Sequence, residues 1–490
     1  MLNTKVGSLD LKGPGGKTFS VFPPSSTAQE AIWSPDSRRL FVVRTNFLPP
    51  QSGIGIEGSS APIQIWRIWI QEDRPSVPAL VFQSPSTPQP SGTYLHEQIV
   101  FGRWSPDNRY LLFWLGILSG SAQADGFSFW VLDVETGKVM PLADRALLNP
   151  RYQSWAPDGS ALAFTAGGYR SAQVNKWLNL FNPATGQVTT VVSKTEAIPG
   201  IVAWSPRGDL IAYAAVQASD ASMGQADWMS FQNLAILKRR VYLLNPQTGK
   251  HWQLNRVDAF QDAPTWSEDG AILYYVQRED DNMVLMAANP STGQAQVIEG
   301  TRYPAPHAVG YYGQSDWDDL LAYRPGVPRA AVPSLTEIYI DPTIGYTLRY
   351  PGTWYVGQGW QYLTYSCQEC RTLSSARLDG ARPDFGPFSG KAFIAIQVIE
   401  KPEADLDAFS RQVLATTGPG QTLDRSALLT AFDQRKLTVD GQPAVRLETM
   451  GEFGEVNHVL VVLDGKRTLI LRGQGDGRVF DAIIGTLKLR

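Results

Sequence analysis

Cysteine and histidine are scarce in this chain of 490 residues, which has two cysteines and four histidines. A structural zinc site takes about four closely placed ligands from Cys, His or carboxylate side chains. The histidines show no metal-type spacing among themselves: His96, His251, His307 and His458. We therefore expect no metal site, and we identify no cofactor and no catalytic residue.

The two cysteines lie close together, as Cys367 and Cys370 in the segment Ser-Cys-Gln-Glu-Cys. A CxxC motif can be half of a zinc site, a redox pair or a local disulfide. Zinc would need two further ligands, and a thioredoxin-like pair would need a helix start in a βαβ context, and neither is evident. We expect a structural disulfide or an idle pair, with redox and metal roles as the alternatives.

Basic runs and long apolar runs are lacking too. The formal net charge is -3, so the positive footprint of a nucleic-acid binder is missing. No apolar run approaches the roughly 18 residues that span a bilayer. We expect no nucleic-acid partner, and membrane association only through a partner or through an anchor that has been removed.

The sequence does contain a repeat. Five similar segments follow one another: IWSPDSRRLFVV from Ile32, RWSPDNRYLLFW from Arg103, SWAPDGSALAFT from Ser154, AWSPRGDLIAYA from Ala203 and TWSEDGAILYYV from Thr265. In each, Pro-Asp-Gly or a close variant supplies a tight turn between two strands. A second half-motif with a Thr-Gly turn follows most copies, such as SFWVLDVETGK from Ser128. Each period therefore predicts four strands, which is the content of one propeller blade.

These segments resemble the TolB-like propellers, a branch of the WD-type repeats. A sixth, degraded copy runs from Ser315 to Tyr323 and lacks its second half, whereas a strand, turn and strand pattern stands alone at residues 6–22. The resemblance implies a six-bladed β-propeller over residues 1–324, with the last blade closed by the N-terminal strands. Five blades and an unrelated hairpin are the alternative. One tryptophan from each copy is expected to pack between blades: Trp33, Trp104, Trp155, Trp204, Trp266 and Trp317.

Long insertions are predicted on one face of the propeller, where the second and third strands of each blade connect. Loops on a rigid scaffold often carry binding residues, and apolar loop residues suit a protein interface. The candidate partner-binding residues are Phe47, Leu48, Ile54, Ile117, Leu118, Trp228, Met229 and Phe231. The alternative is that these loops pack on one another.

A proline-rich linker over residues 325–335 is expected to separate the propeller from a second domain. Residues 336–490 predict an antiparallel α+β sandwich. Strands are expected at 338–340, 345–351, 392–400, 458–463 and 468–471, and a hairpin is expected at 437–450. One helix is expected around Leu406, Phe409 and Val413, and a last helix carries Val479, Phe480, Ile483 and Ile484.

Three phrases of this domain, GYTLRYPGTW, VDGQPAVRLE and FDAIIGTLKL, resemble the PsbP-like family. That family includes photosystem accessory proteins and many bacterial lipoproteins. The resemblance implies a non-enzymatic accessory or binding role, and it carries over no catalytic or metal residue.

Two enzyme classes compete with this role. A peptidase capped by a propeller needs a Gly-x-Ser-x-Gly nucleophile elbow, which the sequence lacks. A site in a central channel could use Asp280 with Asp281 or Asp318 with Asp319, but such pairs are more typical of solvated turns. We therefore expect that the chain is not an enzyme.

The opening residues, Met1 to Lys5, do not form a signal peptide. A strand predicted from Val6 fits a leader or anchor that has been removed, and TolB-like propellers are commonly exported. We expect a periplasmic or cell-surface protein, with the cytoplasm as the alternative. The expected function is a scaffold or accessory subunit that binds protein partners. A small-ligand or metal-binding propeller, with a site in its channel, is the competing hypothesis.

Overall fold

The computed structural model describes residues 9–12, 17–22, 27–45, 62–71, 74–84, 97–117, 125–169, 172, 174–221, 234–305, 313–315, 317–325, 332–341, 345–362, 365–375, 392–399, 406, 431–450, 456–465 and 467–489. The chain divides into two compact units. One comprises Met1–Ser222, Val241–Leu254 and Pro264–Ala271, and the other comprises Met223–Arg240, Asn255–Ala263 and Ile272–Arg490. The predicted linker at 325–335 stays a prediction.

A short hairpin comes first and is followed by a five-stranded antiparallel sheet. The hairpin pairs β1 (Asp10–Lys12) with β2 (Thr18–Ser20). The first sheet contains β3 (Thr27–Trp33), β4 (Arg39–Thr45), β5 (Gln64–Gln71) and β7 (Ala79–Gln83), with β6 (Arg74–Pro75) beside the end of β5.

Four further sheets repeat this meander. The second contains β8 (Glu97–Trp104), β9 (Tyr110–Ile117), β10 (Phe127–Asp133) and β11 (Val139–Ala146). A 3₁₀ turn (Pro150–Tyr152) leads into the third, with β12 (Gln153–Trp155), β13 (Leu162–Ala166), β14 (Trp177–Asn182) and β15 (Gln187–Val192).

The fourth sheet contains β16 (Ala197–Trp204), β17 (Ile211–Gln217), β18 (Arg240–Leu244) and β19 (His251–Gln253). Helices α1 (Ala218–Ala221) and α2 (Leu234–Leu237) lie between β17 and β18. The fifth contains β20 (Gln261–Trp266), β21 (Leu273–Glu279), β22 (Asn282–Ala288) and β23 (Ala295–Val297), and β24 (Tyr303–Pro304) also pairs with β22.

The Pro-Asp-Gly turns are formed by local chemistry. In the third sheet, the amide of Gly159 donates to the carbonyl of Ala156 at 2.9 Å, and the Asp158 carboxylate accepts from the amide of Ser160 at 2.9 Å. Gly159 has a φ of +74°, which glycine adopts without steric cost. A Cβ on Gly159 would also lie 3.2 Å from Cγ of Asp107, in the corresponding turn of the second sheet. The turn therefore requires glycine for its conformation and for its packing.

The repeated tryptophans contact the preceding sheet. Trp104 lies 5.6 Å from the ring of Phe41, and Trp155 stacks 5.9 Å from Tyr110. Trp266 donates through Nε1 to the carbonyl of Ala203 at 3.0 Å. Trp204 packs against the core cluster that contains Ala163 and Leu178, and buried Trp317 lies 6.4 Å from Phe260. These contacts connect each of these tryptophans to the preceding part of the repeat.

Trp33 departs from the blade-packing interpretation, because 46% of its surface is exposed. The other tryptophans each have a sheet of four or five strands before them in the chain. Among the described residues, only the hairpin β1–β2 precedes the first sheet. The same sequence motif is therefore present at Trp33, but the described residues provide no full sheet before it.

The sixth copy does not form the expected strand. Residues Asp318–Leu321 form a short helix, α3, in which the amide of Ala322 donates to the carbonyl of Asp318. Two aspartates follow Trp317, where the other copies continue into a Pro-Asp-Gly-type turn. Acidic residues favour the first turn of a helix, and without turn residues the chain is not returned into a hairpin.

The C-terminal strands form two sheets. A small sheet orders β25 (Glu337–Ile340), β26 (Tyr346–Tyr350) and β34 (Lys488–Leu489). A seven-stranded sheet contains β27 (Tyr355–Tyr362), β28 (Tyr365–Ser374), β29 (Phe393–Ile399), β30 (Ala431–Val439), β31 (Gln442–Met450), β32 (Val456–Leu463) and β33 (Thr468–Gln474), in the order β27-β28-β29-β33-β32-β31-β30. The predicted strands of this region are present, whereas β27, β28 and β34 were not predicted.

The predicted last helix is α4 (Gly477–Ile484), capped by the Asp476 carboxylate, which accepts from the amide of Arg478. Its four predicted apolar residues are buried in one core cluster with Leu460 and Leu471 of the sheet. The opposite face of the sheet buries Val445, Val461 and their neighbours against Leu406. Phe409 and Val413 lie outside the described residues. Among the helices that the structure describes, none has the length and apolar character needed to cross a bilayer.

Candidate interaction surface

The predicted insertions occupy the expected connections of the sheets. They join the second and third strands of the first, second and fourth sheets, since β4 ends at Thr45, β9 at Ile117 and β17 at Gln217. Most candidate residues lie outside the described residues: Phe47, Leu48, Ile54, Leu118, Trp228, Met229 and Phe231. Ile117 is the last residue of β9, and its side chain is likewise outside the described part.

The third sheet has a shorter connection of the same kind, and the structure describes most of it. It joins β13 to β14 and therefore lies at the end of this sheet opposite the turns at Gly159 and Gly186. Tyr169 in this loop is 55% exposed and has a φ of +85°. Positive φ is rare for a bulky side chain and stores strain. The loop thus presents an aromatic ring to solvent on a strained backbone.

A buried lysine holds this loop in place. Nζ of Lys176 donates to the carbonyls of Gly168, Tyr169 and Val174 at 2.8, 3.3 and 2.9 Å. Lys176 has 0% relative exposure. One ammonium group therefore satisfies three carbonyls that the turn directs inward, including the carbonyl of Tyr169 itself.

Burial sets the electrostatics of the lysine. Removal from water lowers the pKa of Lys176 from 10.5 to about 7, and the nearby negative charge of Asp125 acts in the opposite direction. Desolvation opposes the charged form of a lysine, and a carboxylate favours it.

At Gly167 the backbone of this loop comes close to two other backbone segments, at Asn175 and at Arg145. Gly167 has a φ of +116°, and a Cβ there would lie 2.0 Å from the carbonyl oxygen of Asn175. The amide of Gly167 donates to the carbonyl of Arg145 at 2.8 Å. Glycine at this position allows the two arms of the loop to meet above Lys176.

The ends of the second sheet adjoin the same loop. Arg145 donates through Nη1 to the carbonyl of Gly126 at 2.8 Å, and a Cβ on Gly168 would lie 3.4 Å from the carbonyl oxygen of Asp125. Asp125 and Gly126 follow the insertion that contains Leu118. We call residues 125–126, 145, 167–169, 172 and 174–176 the loop surface. It is exposed at Tyr169 and is held from beneath by the hydrogen bonds of Lys176.

The other candidate residues show no such assembly. Cys370 is buried and disulfide-bonded. Asp280 and Asp281 form the turn between β21 and β22, where the Asp281 side chain is fully exposed. Asp318 opens α3 and is exposed, while the side chain of Asp319 is outside the described residues. The described residues contain no cluster of three or more His, Cys, Asp or Glu side chains that could hold a metal.

The structure describes two of the four histidines, His251 and His458, and they lie in different sheets. His458 is buried, its Nδ1 lies 3.0 Å from Nη2 of Arg446 and 3.3 Å from Oε1 of Glu448, and its Nε2 donates to the carbonyl of Gly475 at 2.9 Å. Hydrogen bonding to His458 is the largest cause that lowers the pKa of Glu448. His251 belongs to β19, and His96 and His307 are outside the described residues.

Sequence reasoning missed Tyr169 and Lys176. A Gly-Gly pair followed by tyrosine, between two predicted strands, was the available signal. Loop length drew attention to the longer insertions instead.

No protein-family model matches the chain, and no curated protein sequence is similar to it. Solved structures resemble it at low sequence identity. TolB from Acinetobacter baumannii is 14% identical, with a TM-score of 0.30, and the match covers 69% of this chain and 61% of TolB. A structure from a study of two prolyl endopeptidases is 10% identical, with a TM-score of 0.34 and coverage of 90% and 55%. Oligogalacturonate lyase in complex with manganese is 10% identical, with a TM-score of 0.27 and coverage of 77% and 89%.

These comparisons correct one expectation. The conclusion that the chain is not an enzyme is wrong as drawn, because the structures it resembles include prolyl endopeptidases and a lyase. A missing nucleophile elbow excludes one hydrolase architecture, and it does not exclude enzymes as a class.

Proposed function

We propose that this protein is an interaction scaffold or accessory subunit of an extracytoplasmic or membrane-associated assembly. It binds a protein partner through the loop surface, with Tyr169 as the central contact. The observation that carries the proposal is the exposed ring of Tyr169 on a backbone with a φ of +85°.

Strain explains why Tyr169 is singled out. A residue in such a region costs about 1–3 kcal/mol and persists when its surroundings determine its conformation. Here the surroundings are the Lys176 ammonium and the Gly167 approach. Tyrosine provides a large, rigid contact area and is frequent among the residues that dominate binding energy. A strained, exposed tyrosine on a braced loop suits a preformed contact point.

The scaffold that carries this surface is proposed to be a six-bladed TolB-like propeller followed by a PsbP-like domain. Two observations support this proposal: a separate two-stranded hairpin, β1–β2, precedes the first sheet, and buried Trp317 lies beside Phe260 at the start of the fifth sheet. The order of strands and the final helix after residue 336 support the second domain.

An extracytoplasmic location is supported by the disulfide at Cys370. Disulfides persist in the periplasm and at cell surfaces and are rare in the reducing cytosol.

The test compares binding by three proteins: the wild type, Tyr169→Ala and Tyr355→Ala. Tyr355 is a matched control, since it is 44% exposed and lies far along the sequence, in β27. Envelope proteins captured by the wild type would be purified, and their dissociation constants measured with each variant. We expect Tyr169→Ala to weaken binding at least tenfold and Tyr355→Ala to leave it unchanged. Equal affinities for all three proteins would refute the role of the loop surface.

A further inference from the structure

A buried histidine lies where the seven-stranded sheet meets the last helix. His458 of β32 pairs with Glu448 of β31 on one side and with Gly473 of β33 on the other. Its imidazole lies 5.6 Å from the ring of Phe480 in α4. A Cβ on Gly477 would lie 2.8 Å from Cε1 of the imidazole, so the first turn of α4 lies directly against the ring. A displacement of this imidazole therefore acts on the start of the helix.

The two ring nitrogens of His458 face different kinds of groups. Nε2 lies 2.9 Å from the carbonyl oxygen of Gly475, which only accepts hydrogen bonds, so Nε2 carries a hydrogen. Nδ1 lies 3.0 Å from Nη2 of Arg446, which only donates, and 3.3 Å from Oε1 of Glu448, which accepts. The charge state of the ring decides which of these two groups Nδ1 can bind.

We propose that His458 is a proton switch that controls the attachment of α4 to the sheet. In the neutral ring, Nδ1 accepts a hydrogen bond from Arg446. Protonation ends this bond, because two N–H groups then face each other, and Nδ1 donates to the carboxylate of Glu448 instead. The step takes up one proton from solvent at the lone pair of Nδ1, and Arg446 and Glu448 keep the protonation states that they had.

Arg446 is held more firmly than the imidazole. Its side chain is 2% exposed, and its Nε donates to Asp481 of α4 at 2.8 Å. Its Nη2 donates to Glu448 at 3.0 Å, and its Nη1 donates to the carbonyl of Leu447. The guanidinium has three acceptors besides His458, whereas the ring depends on two hydrogen bonds. The ring is therefore the group that moves on protonation, toward Glu448.

Movement of the ring weakens its bond to the chain that leads into α4. Gly475 directly precedes Asp476, whose carboxylate caps the helix by accepting from the amide of Arg478 at 2.9 Å. When Nε2 is displaced from the carbonyl of Gly475, the cap loses its connection to β32. The bond between Arg446 and Asp481 remains and holds the later part of the helix. Protonation thus loosens the first turn of α4.

The charged groups around His458 balance one another while the ring is neutral. Three are basic and three are acidic, and they belong to β30, β31 and the segment that contains α4, while β33 contributes uncharged Gly473. A proton on the buried ring adds a positive charge beside the guanidinium of Arg446, and a low dielectric strengthens that repulsion. The six groups are Arg435, Arg446, Arg478, Glu448, Asp476 and Asp481.

The experiment titrates the full chain between about pH 5 and about pH 8, a range that brackets ordinary histidine titration. The Cε1–H signal of His458 in NMR spectra reports protonation, and mass spectrometry follows amide hydrogen exchange, corrected for the pH dependence of unprotected amides. On acidification we expect His458 to titrate and residues 477–480 to exchange about fivefold faster, as in local opening. Exchange in β31 to β33 should stay unchanged.

Three variants separate the switch from other effects of pH. His458→Gln cannot gain the charge, so exchange in α4 should not respond to acid. Glu448→Gln removes the carboxylate that receives the proton of Nδ1, so the midpoint of the His458 titration should shift to lower pH. His251→Gln replaces the histidine of β19 and is the matched control, which should keep the response of the wild type.

The proposal fails if His458 does not titrate in this range, or if acid accelerates exchange in α4 equally in His458→Gln. An unchanged titration midpoint in Glu448→Gln would also overturn it, because Nδ1 would then not exchange Arg446 for Glu448. This last measurement decides the matter even if His458→Gln does not fold.

Discussion

Tyr169 combines exposure with a backbone conformation that glycine adopts at much lower energy. Stability alone would favour glycine there, because glycine populates positive φ freely. A bulky residue at such a position makes sense where the ring itself is used. Stability and binding are therefore expected to respond in opposite directions to replacement of this residue.

We predict that Tyr169→Gly raises the free energy of unfolding by about 0.5–1 kcal/mol, since relief of strain exceeds the added freedom of the unfolded chain. Urea titration of the wild type and the variant measures this difference. Asn108→Gly is the control, because asparagine at a φ of +61° is already tolerated and less is gained. A variant less stable than the wild type would show that Tyr169 is not strained.

Gly167 should be far less replaceable than other glycines with positive φ. Gly137 has a φ of +75°, and a Cβ there would meet nothing within 4 Å. We expect Gly137→Ala to cost about 1–2 kcal/mol for its backbone conformation. Gly167→Ala should cost at least about 2 kcal/mol more, because its Cβ would collide with a carbonyl oxygen. Chemical denaturation of both variants tests this, and equal losses would contradict the packing of the loop.

The titration of Lys176 makes stability depend on pH. Burial lowers its pKa to about 7 in the folded chain, whereas the unfolded value is about 10.4. Between these values the unfolded chain binds more protons, so the free energy of unfolding rises with pH, by at most about 1.4 kcal/mol per pH unit.

The comparison that isolates Lys176 is with Lys176→Met, which does not titrate. The difference in unfolding free energy between wild type and variant should shift in favour of the wild type from pH 7 to pH 10. Denaturant titrations at several pH values measure it. A constant difference would mean that the three carbonyls keep the ammonium charged throughout this range.

At the scale of the element, the repeat motif has one sequence and two environments. Trp155 is 9% exposed and stacks on the preceding sheet, whereas Trp33 is 46% exposed. The burial of the motif's tryptophan therefore depends on whether a sheet precedes it in the chain.

We predict that Trp155→Ala costs about 3–5 kcal/mol of unfolding free energy, as expected for loss of a buried tryptophan. Trp33→Ala should cost less than about 1 kcal/mol, in keeping with an exposed site. Thermal and urea unfolding of the two variants provides the test. A large loss at Trp33 would show that this ring is covered in solution by a partner surface.

At the scale of the whole molecule, the described strands from Glu337 onward pair only with one another. Their core contains the buried face of α4 and both sides of the seven-stranded sheet. A region with its own sheets and core is expected to fold by itself.

We predict that residues 332–490, expressed alone, unfold cooperatively and keep the exchange protection that β31 to β33 have in the full chain. Circular dichroism and hydrogen exchange measure both properties. A fragment without a cooperative transition would mean that the region depends on the preceding residues, and the predicted boundary at 325–335 would fall.

The sequence by itself determined the repeated strands, because turn chemistry is local: Pro, Asp and Gly at fixed offsets suffice to return the chain. It likewise determined α4, since its apolar residues follow the helical period. Only the tertiary structure decided that the sixth copy forms a helix and that Trp33 is 46% exposed. The conformation of the Tyr169 loop also depends on tertiary structure. The buried ammonium group of Lys176 and the close contact of Gly167 with Asn175 bring together residues that no sequence pattern connects. Contacts between segments distant in sequence have no local signal, and they control the conformation of this loop.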